Sequence, residues 1–276
     1  MRDIPQLFRP LVLRGIQTRN RVVISPMCQY SAHEGHMDDW HLVHLGRFAI
    51  GGAGIVFTEA TAVQKAGRIT HGCPGLWCDS QIPSHAKVAQ FALRNGAIPA
   101  IQLGHAGRKG GMQRPWHGNG PLNTADFERG DMPWTPVGPS EIPVTEGWPV
   151  PHALTTSEIK NLIKDYVAAA QRALAAGYKI AEIHGAHGYL VHSFLSPLSN
   201  KRNDDYGGNL KGRMRLALEI TQAVRAVWPE NLPLFFRTSA VDGVPEGWSL
   251  EDTVILAHAL KASGVDVMDC SCLLYT

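Results

Sequence analysis

No stretch of the 276-residue sequence approaches the roughly 18 to 20 consecutive apolar residues of a membrane-spanning helix, so no membrane partner is expected. An excess of charge of one sign is missing too. The 26 Lys and Arg against 24 Asp and Glu leave a formal net charge of +2, too little to argue for nucleic acid or an anionic surface. The opening MRDIPQLFRPLVLRG carries charge and proline where a signal peptide needs an apolar core, and a cytoplasmic location is expected. Cysteine is sparse: Cys28, Cys73, Cys78, Cys270 and Cys272 are too few and too scattered for a disulfide framework. Their spacings are not those of a zinc knuckle, so no metal site is expected, and buried thiols acting as small hydrophobes are the simplest reading.

Glycine and proline are plentiful, at 28 and 18, and they punctuate an alternation of strands and helices. Short apolar, β-branched runs fall at 22–26, 54–59, 97–103, 180–184, 233–238 and 265–269. Their near-continuous apolarity suits parallel strands buried on both faces. The clearest helix spans 156–176, with Ile159, Leu162, Ile163, Tyr166, Val167 and Ala170 on one stripe. A Thr155…Glu158 capping box opens it and Gly177 ends it. Further helices are predicted near 38–50, 80–95, 210–228 and 250–263. The pattern gives an α/β fold, a (β/α)8 barrel forming one domain over 1–276. Residues 11–20 read as a small hairpin before the first barrel strand, and 104–154 as a loop excursion over one mouth of the barrel. Six of eight β/α units are visible. After Asp269 only CSCLLYT remains, so the expectation is a barrel completed from elsewhere, or a fragment.

In such barrels catalytic groups sit at the carboxyl ends of the strands. Those positions hold Pro26, Met27, Cys28, Gln29 and Tyr30, then Glu59, Ala60 and Thr61, then Gln102, His105 and Arg108. Strand four is followed by His184-Gly-Ala-His187-Gly-Tyr189, and Arg237 ends strand five. Each has a plain reading. Cys28 is explained by packing, Gln102 as a satisfied polar group, Arg237 by pairing with Asp269, and the two histidines as structural or as zinc ligands with a third carboxylate. Together they describe a pocket of two imidazoles, a phenol, a guanidinium, an amide and a thiol. No carboxylate pair or nucleophile–base dyad stands out, which leaves glycosidase and acyl-transfer chemistry poorly served. Donors without a nucleophile point to a cofactor that brings its own reactivity.

The segments NRVVISPMCQYSA, QLGHAGRKG, EIHGAHGYLVHSFLSPLSNKRNDDYGG and FFRTSA resemble the Old Yellow Enzyme family of FMN-dependent ene-reductases, in its YqjM-like and xenobiotic-reductase-like branch. The resemblance covers residues 5 to 270. It implies a (β/α)8 barrel with noncovalent FMN at its mouth and NADPH or NADH as hydride donor. The implied reaction is reduction of the activated C=C bond of α,β-unsaturated carbonyl or nitro compounds. It implies that Pro26, Met27, Cys28 and Ala60 line the isoalloxazine, with Cys28 tuning its potential, and that Gln102 and Arg237 bond its pyrimidine edge. His184 and His187 would bind the substrate oxygen, Tyr189 would deliver the proton with an ordinary phenol pKa of about 10, and Tyr30 would clamp the substrate. The branch often assembles as dimers or tetramers, so a homo-oligomer is an expectation.

Two departures qualify this. Where the family reads close to YGGS-x-x-NR, the sequence has Tyr206-Gly-Gly-Asn-Leu-Lys-Gly-Arg213; a glycine in the first turn of a helix costs about 1 kcal/mol against alanine. The family also holds its FMN phosphate from strands seven and eight. The alternatives are therefore an inactive or unstable fragment unable to hold FMN and, more remotely, a zinc-dependent barrel hydrolase using His184 and His187.

Overall fold

The computed structural model describes residues 4–271; Cys272 and the four residues after it lie outside them. The chain opens with an antiparallel hairpin of β1 (Leu11–Leu13) and β2 (Ile16–Thr18). Then come β3 (Val23–Ile24), α1 (Asp39–Ile50), β4 (Ile55–Ala62), α2 (Ile82–Arg94) and β5 (Ile98–Gly104). The excursion that follows holds α3 (Thr124–Glu128) and a two-stranded parallel ribbon of β6 (Val137–Gly138) and β7 (His152–Ala153). Next are α4 (Thr156–Ala176), β8 (Ile180–Gly185), α5 (Leu190–Leu195), α6 (Leu210–Val227), β9 (Leu234–Ser239), α7 (Leu250–Ala262) and β10 (Val267–Ser271). Strands β3, β4, β5, β8, β9 and β10 form one curled parallel sheet, neighbours following chain order. The architecture is TIM-barrel-like.

The six strands lie where the apolar runs predicted them, with one shortening. Pairing in β3 stops at Ile24, because Pro26 two residues on has no N–H to offer a ladder. Helix ends follow their signals. The Asp38 carboxylate caps α1 by accepting from Trp40 N–H, and the Thr155/Glu158 box caps α4. Gly177, at φ +96°, ends α4 in the left-handed region. The stripe of α4 buries Ile159, Leu162, Tyr166, Ala169, Ala170 and Ala173 in the main core between the helices and the outer face of the sheet. Truncating Ile159 or Leu162 to alanine would remove about 2 to 5 kcal/mol.

Period-two alternation decides what reaches the inner face. At the amino ends of the strands Ile55, Phe57, Ala100, Ile180 and Phe235 form a second core, with Leu13 of the hairpin packed against it. Two residues further along the same side chains' rows come Gln102, Glu182 and Arg237. The strand ends themselves carry His184, Ser239 and Ser271. A bulge interrupts β4, where Thr58 pairs with Ile101 but Ala60 with Gln102. Glu59 is thereby left outside the ladder, and Ala60 takes the place beside Gln102.

Gly212 corrects an expectation. Read from propensity it is a mild weakness in the first turn of α6. In the fold, a Cβ at this position would lie 2.1 Å from the Gly207 carbonyl oxygen, so the close approach of two backbone segments requires glycine. Gly212→Ala is therefore expected to lower the melting temperature, by the equivalent of about 1 to 3 kcal/mol of overpacking, although alanine is the better helix former. A gain in melting temperature would show that the propensity reading was sufficient.

Candidate active site

The inner-face row at mid-strand is dry and polar. Gln102 donates through Nε2 to Glu182 Oε1 at 2.8 Å, with both residues buried. Glu182 Oε2 has no partner. Burial pushes the Glu182 carboxyl up to about 8, helped by the nearby Asp269 charge and opposed by Gln102 and Arg237, so it is a neutral acid at pH 7. Arg237 Nε lies 3.3 Å from Asp269 Oδ2, which meets the simple pairing reading in distance. The angle is poor, and Nε counts as buried without a hydrogen-bond partner. Hydrogen bonds are directional, so this guanidinium N–H is not spent on Asp269.

One turn brings three candidate groups together. The ring centroids of His184 and His187 are 5.0 Å apart, those of His184 and Tyr189 5.0 Å, and those of His187 and Tyr189 6.3 Å. His184 Nδ1 accepts the Ala186 N–H at 3.3 Å, which leaves its proton on Nε2 as a free donor. Burial, then the neighbouring His187 and Arg237, hold His184 well below the ordinary imidazole value. His187 has a left-handed backbone, φ +63°, unusual for a residue with a side chain. Its N–H donates to Ser239 Oγ at 3.0 Å and its carbonyl accepts from Lys109 Nζ at 2.8 Å. Its ring Nε2 sits 2.7 Å from Ser271 Oγ. Burial, with Arg237 next, brings the His187 imidazole down to about 4.

Tyr189 departs from expectation: burial first, then the Cys28 and Tyr30 side chains, raise its phenol well above the ordinary value of 10. Burial, then Glu59, holds the Cys28 thiol well above its ordinary value, so it is not a thiolate. Cys28, Tyr30, Ala60 and Tyr189 all pack around buried Ile69, Cys73 and Ala106. Pro26 is half-buried and Met27 exposed, both outside that cluster. The bulged Glu59 accepts the Gln29 N–H at 2.9 Å and lies 3.5 Å from His41 Nε2; burial raises it to about 8. Two strand-end residues are occupied elsewhere. His105 binds Gln64 Oε1 and the Gly107 N–H. Arg108 bonds the Ile142 and Pro143 carbonyls of the excursion.

A pocket of about 410 Å³ opens over the turn, lined by Tyr30, His187 and Tyr189 together with Ile69, Lys109, Met112, Asn119, Val144 and Trp148. Five of these, Lys109, Met112, Asn119, Val144 and Trp148, come from the excursion. Lys109 was not picked out by sequence reasoning, though it lies within the quoted QLGHAGRKG; burial, then Arg108, lowers its ammonium to about 8. Glu182 was missed too, and its signal was a charged residue two positions before His184 inside an otherwise apolar strand. Among the described residues no group of three or more His, Cys, Asp or Glu is placed to hold a metal ion, so the zinc-hydrolase reading finds no third ligand. Among the described residues no helix is long and apolar enough to cross a membrane.

These residues fit a flavin. An unspent guanidinium N–H, an amide and a small Ala60 lie on one dry face, beside a pocket with neutral donors. Comparison with known proteins agrees. The family model described as NADH:flavin oxidoreductase / NADH oxidase matches residues 6–276. An NADH:flavin oxidoreductase of Gibberella zeae is 43% identical over 277 residues, 96% of this chain and 67% of that protein. An NADPH dehydrogenase of Bacillus cytotoxicus is 41% identical over 268 residues, 96% of this chain and 71% of that one. The solved Old Yellow Enzyme homologue of Zymomonas mobilis superposes with a TM-score of 0.80 at 26% identity, over 97% of this chain and 74% of its own. A 2-naphthoyl-CoA reductase superposes at 0.86 with 25% identity; this chain spans 40% of that larger polypeptide.

The buried acid generates a pH prediction. Glu182 stays protonated in the fold up to about 8, whereas in the unfolded chain it ionises above its ordinary 4.5. Its contribution to stability is thus fully present below 4.5 and lost as pH rises through about 8, at no more than about 1.4 kcal/mol per pH unit. Glu182→Gln is expected to lose less melting temperature than the parent between pH 5 and pH 8.5. Parallel curves for the two proteins would mean that Glu182 is not held neutral.

Proposed function

We propose, for a chain that belongs to the NADH:flavin oxidoreductase / NADH oxidase family and is an FMN oxidoreductase drawing on NAD(P)H, that its substrates are alkenes conjugated to a carbonyl or nitro group. The observation that carries this is the single turn that brings a neutral His184, a neutral His187 and an un-ionised Tyr189 within ring contact of one another, with His187 and Tyr189 lining the pocket. Bound FMN supplies the two-electron carrier, accepting hydride from NAD(P)H and returning it to the alkene. Gln102 and Arg237 would hold its pyrimidine edge, with Arg237 offsetting negative charge there. Cys28 and Ala60 would line it on the dry side, with Pro26 and Met27 at its rim. The barrel that would house it is a (β/α)8 domain, to which the described residues contribute six parallel strands.

His184 donates from Nε2 to the substrate oxygen, and His187 joins it as the oxygen displaces its contact with Ser271 Oγ. Neutral imidazoles suit this role, because a donor that cannot easily lose its proton polarises the carbonyl without consuming it. The resulting demand for electrons at the β-carbon is met by hydride, and the α-carbon then needs a proton. Tyr189 Oη holds that proton. Its raised pKa means a phenolate is costly, so transfer follows the build-up of charge on the substrate. Lys109 Nζ, 5.8 Å from the Tyr189 ring centre, offsets the phenolate until solvent reprotonates it. Tyr30 packs the opposite side of the pocket. The reading as an inactive fragment gains no observation in its favour.

The test is an anaerobic half-reaction experiment on FMN-loaded protein. Flavin absorbance should bleach with NADPH and return on adding 2-cyclohexenone. Tyr189→Phe should leave bleaching intact and slow the return by about 10²- to 10⁴-fold, and His184→Ala should raise the enone concentration needed. Flavin that reoxidises with oxygen but never with an enone or a nitroalkene would sink the substrate assignment.

A further inference from the structure

We propose that His192 and Asp242 form a buried strut that fixes the turn carrying His187 and Tyr189 through the amide of Gly188, making both of them positioning residues for substrate-oxygen capture. The inference rests on the reading of that turn as the oxygen-binding and proton-donating element. Neither residue lines the substrate pocket, so neither acts by contact.

His192, on α5, is fully buried, and its Nδ1 accepts the Gly188 N–H at 2.7 Å. A ring nitrogen that accepts carries no proton, so the hydrogen of the neutral ring is on Nε2. Nε2 faces Asp242 Oδ1 at 3.1 Å, a close electrostatic contact without hydrogen-bond geometry. The other carboxylate oxygen, Oδ2, accepts from the Ser196 hydroxyl at 2.6 Å and the Trp248 N–H at 2.7 Å. Asp242 is therefore anchored through Oδ2, and the buried imidazole fills the space between that carboxylate and one backbone amide. Burial raises the Asp242 carboxyl, but the neighbouring His192, the Ser196 hydroxyl and the Trp248 N–H outweigh that and hold it below its ordinary value, so the anchor stays charged at neutral pH.

The turn needs such support. His187 and Gly188 both occupy the left-handed region, at φ +63° and +71°, and a histidine there persists only where its surroundings over-determine it. Ser239 receives the His187 N–H and Lys109 binds the His187 carbonyl. The Gly188 N–H, between the two candidate substrate-binding side chains, has His192 as its partner. Removing that acceptor frees the peptide unit joining His187 to Tyr189, and misplacement of an oxygen donor by about 1 Å costs on the order of 10²-fold in rate.

His192→Leu removes the acceptor while keeping an apolar body; His192→Asn keeps a short acceptor near the Nδ1 position; Ser196→Ala loosens Asp242 without touching the turn. Hydrogen exchange is read on the 186–190 segment of the FMN-loaded proteins, alongside kcat and KM for 2-cyclohexenone and the rate of flavin bleaching by NADPH. Support is local exchange faster by about tenfold or more in His192→Leu, KM raised by a similar factor, unchanged bleaching, and recovery of both in His192→Asn. Unchanged exchange in His192→Leu overturns the proposal. So does acceleration spread over the whole chain and shared by Ser196→Ala, which would make the pair ordinary core, or faster local exchange with an unmoved KM. Should the parent reduce no enone at all, the functional reading falls, while exchange at 186–190 still decides the strut.

Discussion

Desolvation is the condition on which the rest of this site depends. The inner face of a curled parallel sheet admits little water, and a charged group placed there loses hydration that it must recover from neighbours. The consequences run in one direction for the buried carboxyls, imidazoles, thiol and phenol of the site. Glu59 and Glu182 are pushed up to about 8, His187 comes down to about 4, and the Cys28 thiol and Tyr189 phenol are held in their protonated forms. What remains is a set of neutral hydrogen-bond donors and one guanidinium. Such a site is a poor nucleophile and a poor base. It is well suited to gripping a polar oxygen and to compensating negative charge that arrives from a carrier.

Geometry then depends on strand register. Gln102 is Cα partner to both Ala60 and Glu182, and Arg237 to both His184 and Asp269, so the rows that line the face are fixed by ladder hydrogen bonds rather than by loops. The bulge at Glu59 is the one irregularity. It turns a carboxyl that would enter the inner face toward Gln29 and His41 and puts a methyl group beside Gln102. Without that insertion, an acidic side chain would stand on the same face as Gln102 and Arg237 and offset the positive charge of the guanidinium.

Much of this was legible in the amino-acid sequence because the signals are local. The capping box of α4, the six apolar runs and the clustering of His184, His187 and Tyr189 in a single turn each need only a few consecutive residues. The missed features are those that arise between segments. Glu182 matters because of its register with Gln102, Gly212 because of a contact with Gly207, and Lys109 because its ammonium reaches the His187 carbonyl, 78 residues away. The phenol of Tyr189 was misjudged for the same reason, since its acidity is set first by burial and then by Cys28 and Tyr30, which follow the first barrel strand. Sequence patterns report which side chains a strand or helix presents; they do not report what those side chains meet.

The excursion between β5 and α4 shows how the two kinds of constraint are divided. Its backbone is pinned by guanidinium groups that grip carbonyls: Arg108 holds Ile142 and Pro143, and Arg202 holds Pro139 and Leu154. Those bonds are indifferent to the side chains of the residues they hold. Asn119, Val144 and Trp148 can therefore form one wall of the pocket without bearing on the ladder that places His184 and Arg237. Gln102, His184 and Arg237 lie on strands that cannot shift by one residue without turning a face inside out. The shape of the cavity lies on an element whose side chains are free to change. A pocket built this way keeps its polar face while what it admits is shaped by Trp148 and its neighbours, which is why the strand ends and the excursion wall are separate determinants of the site.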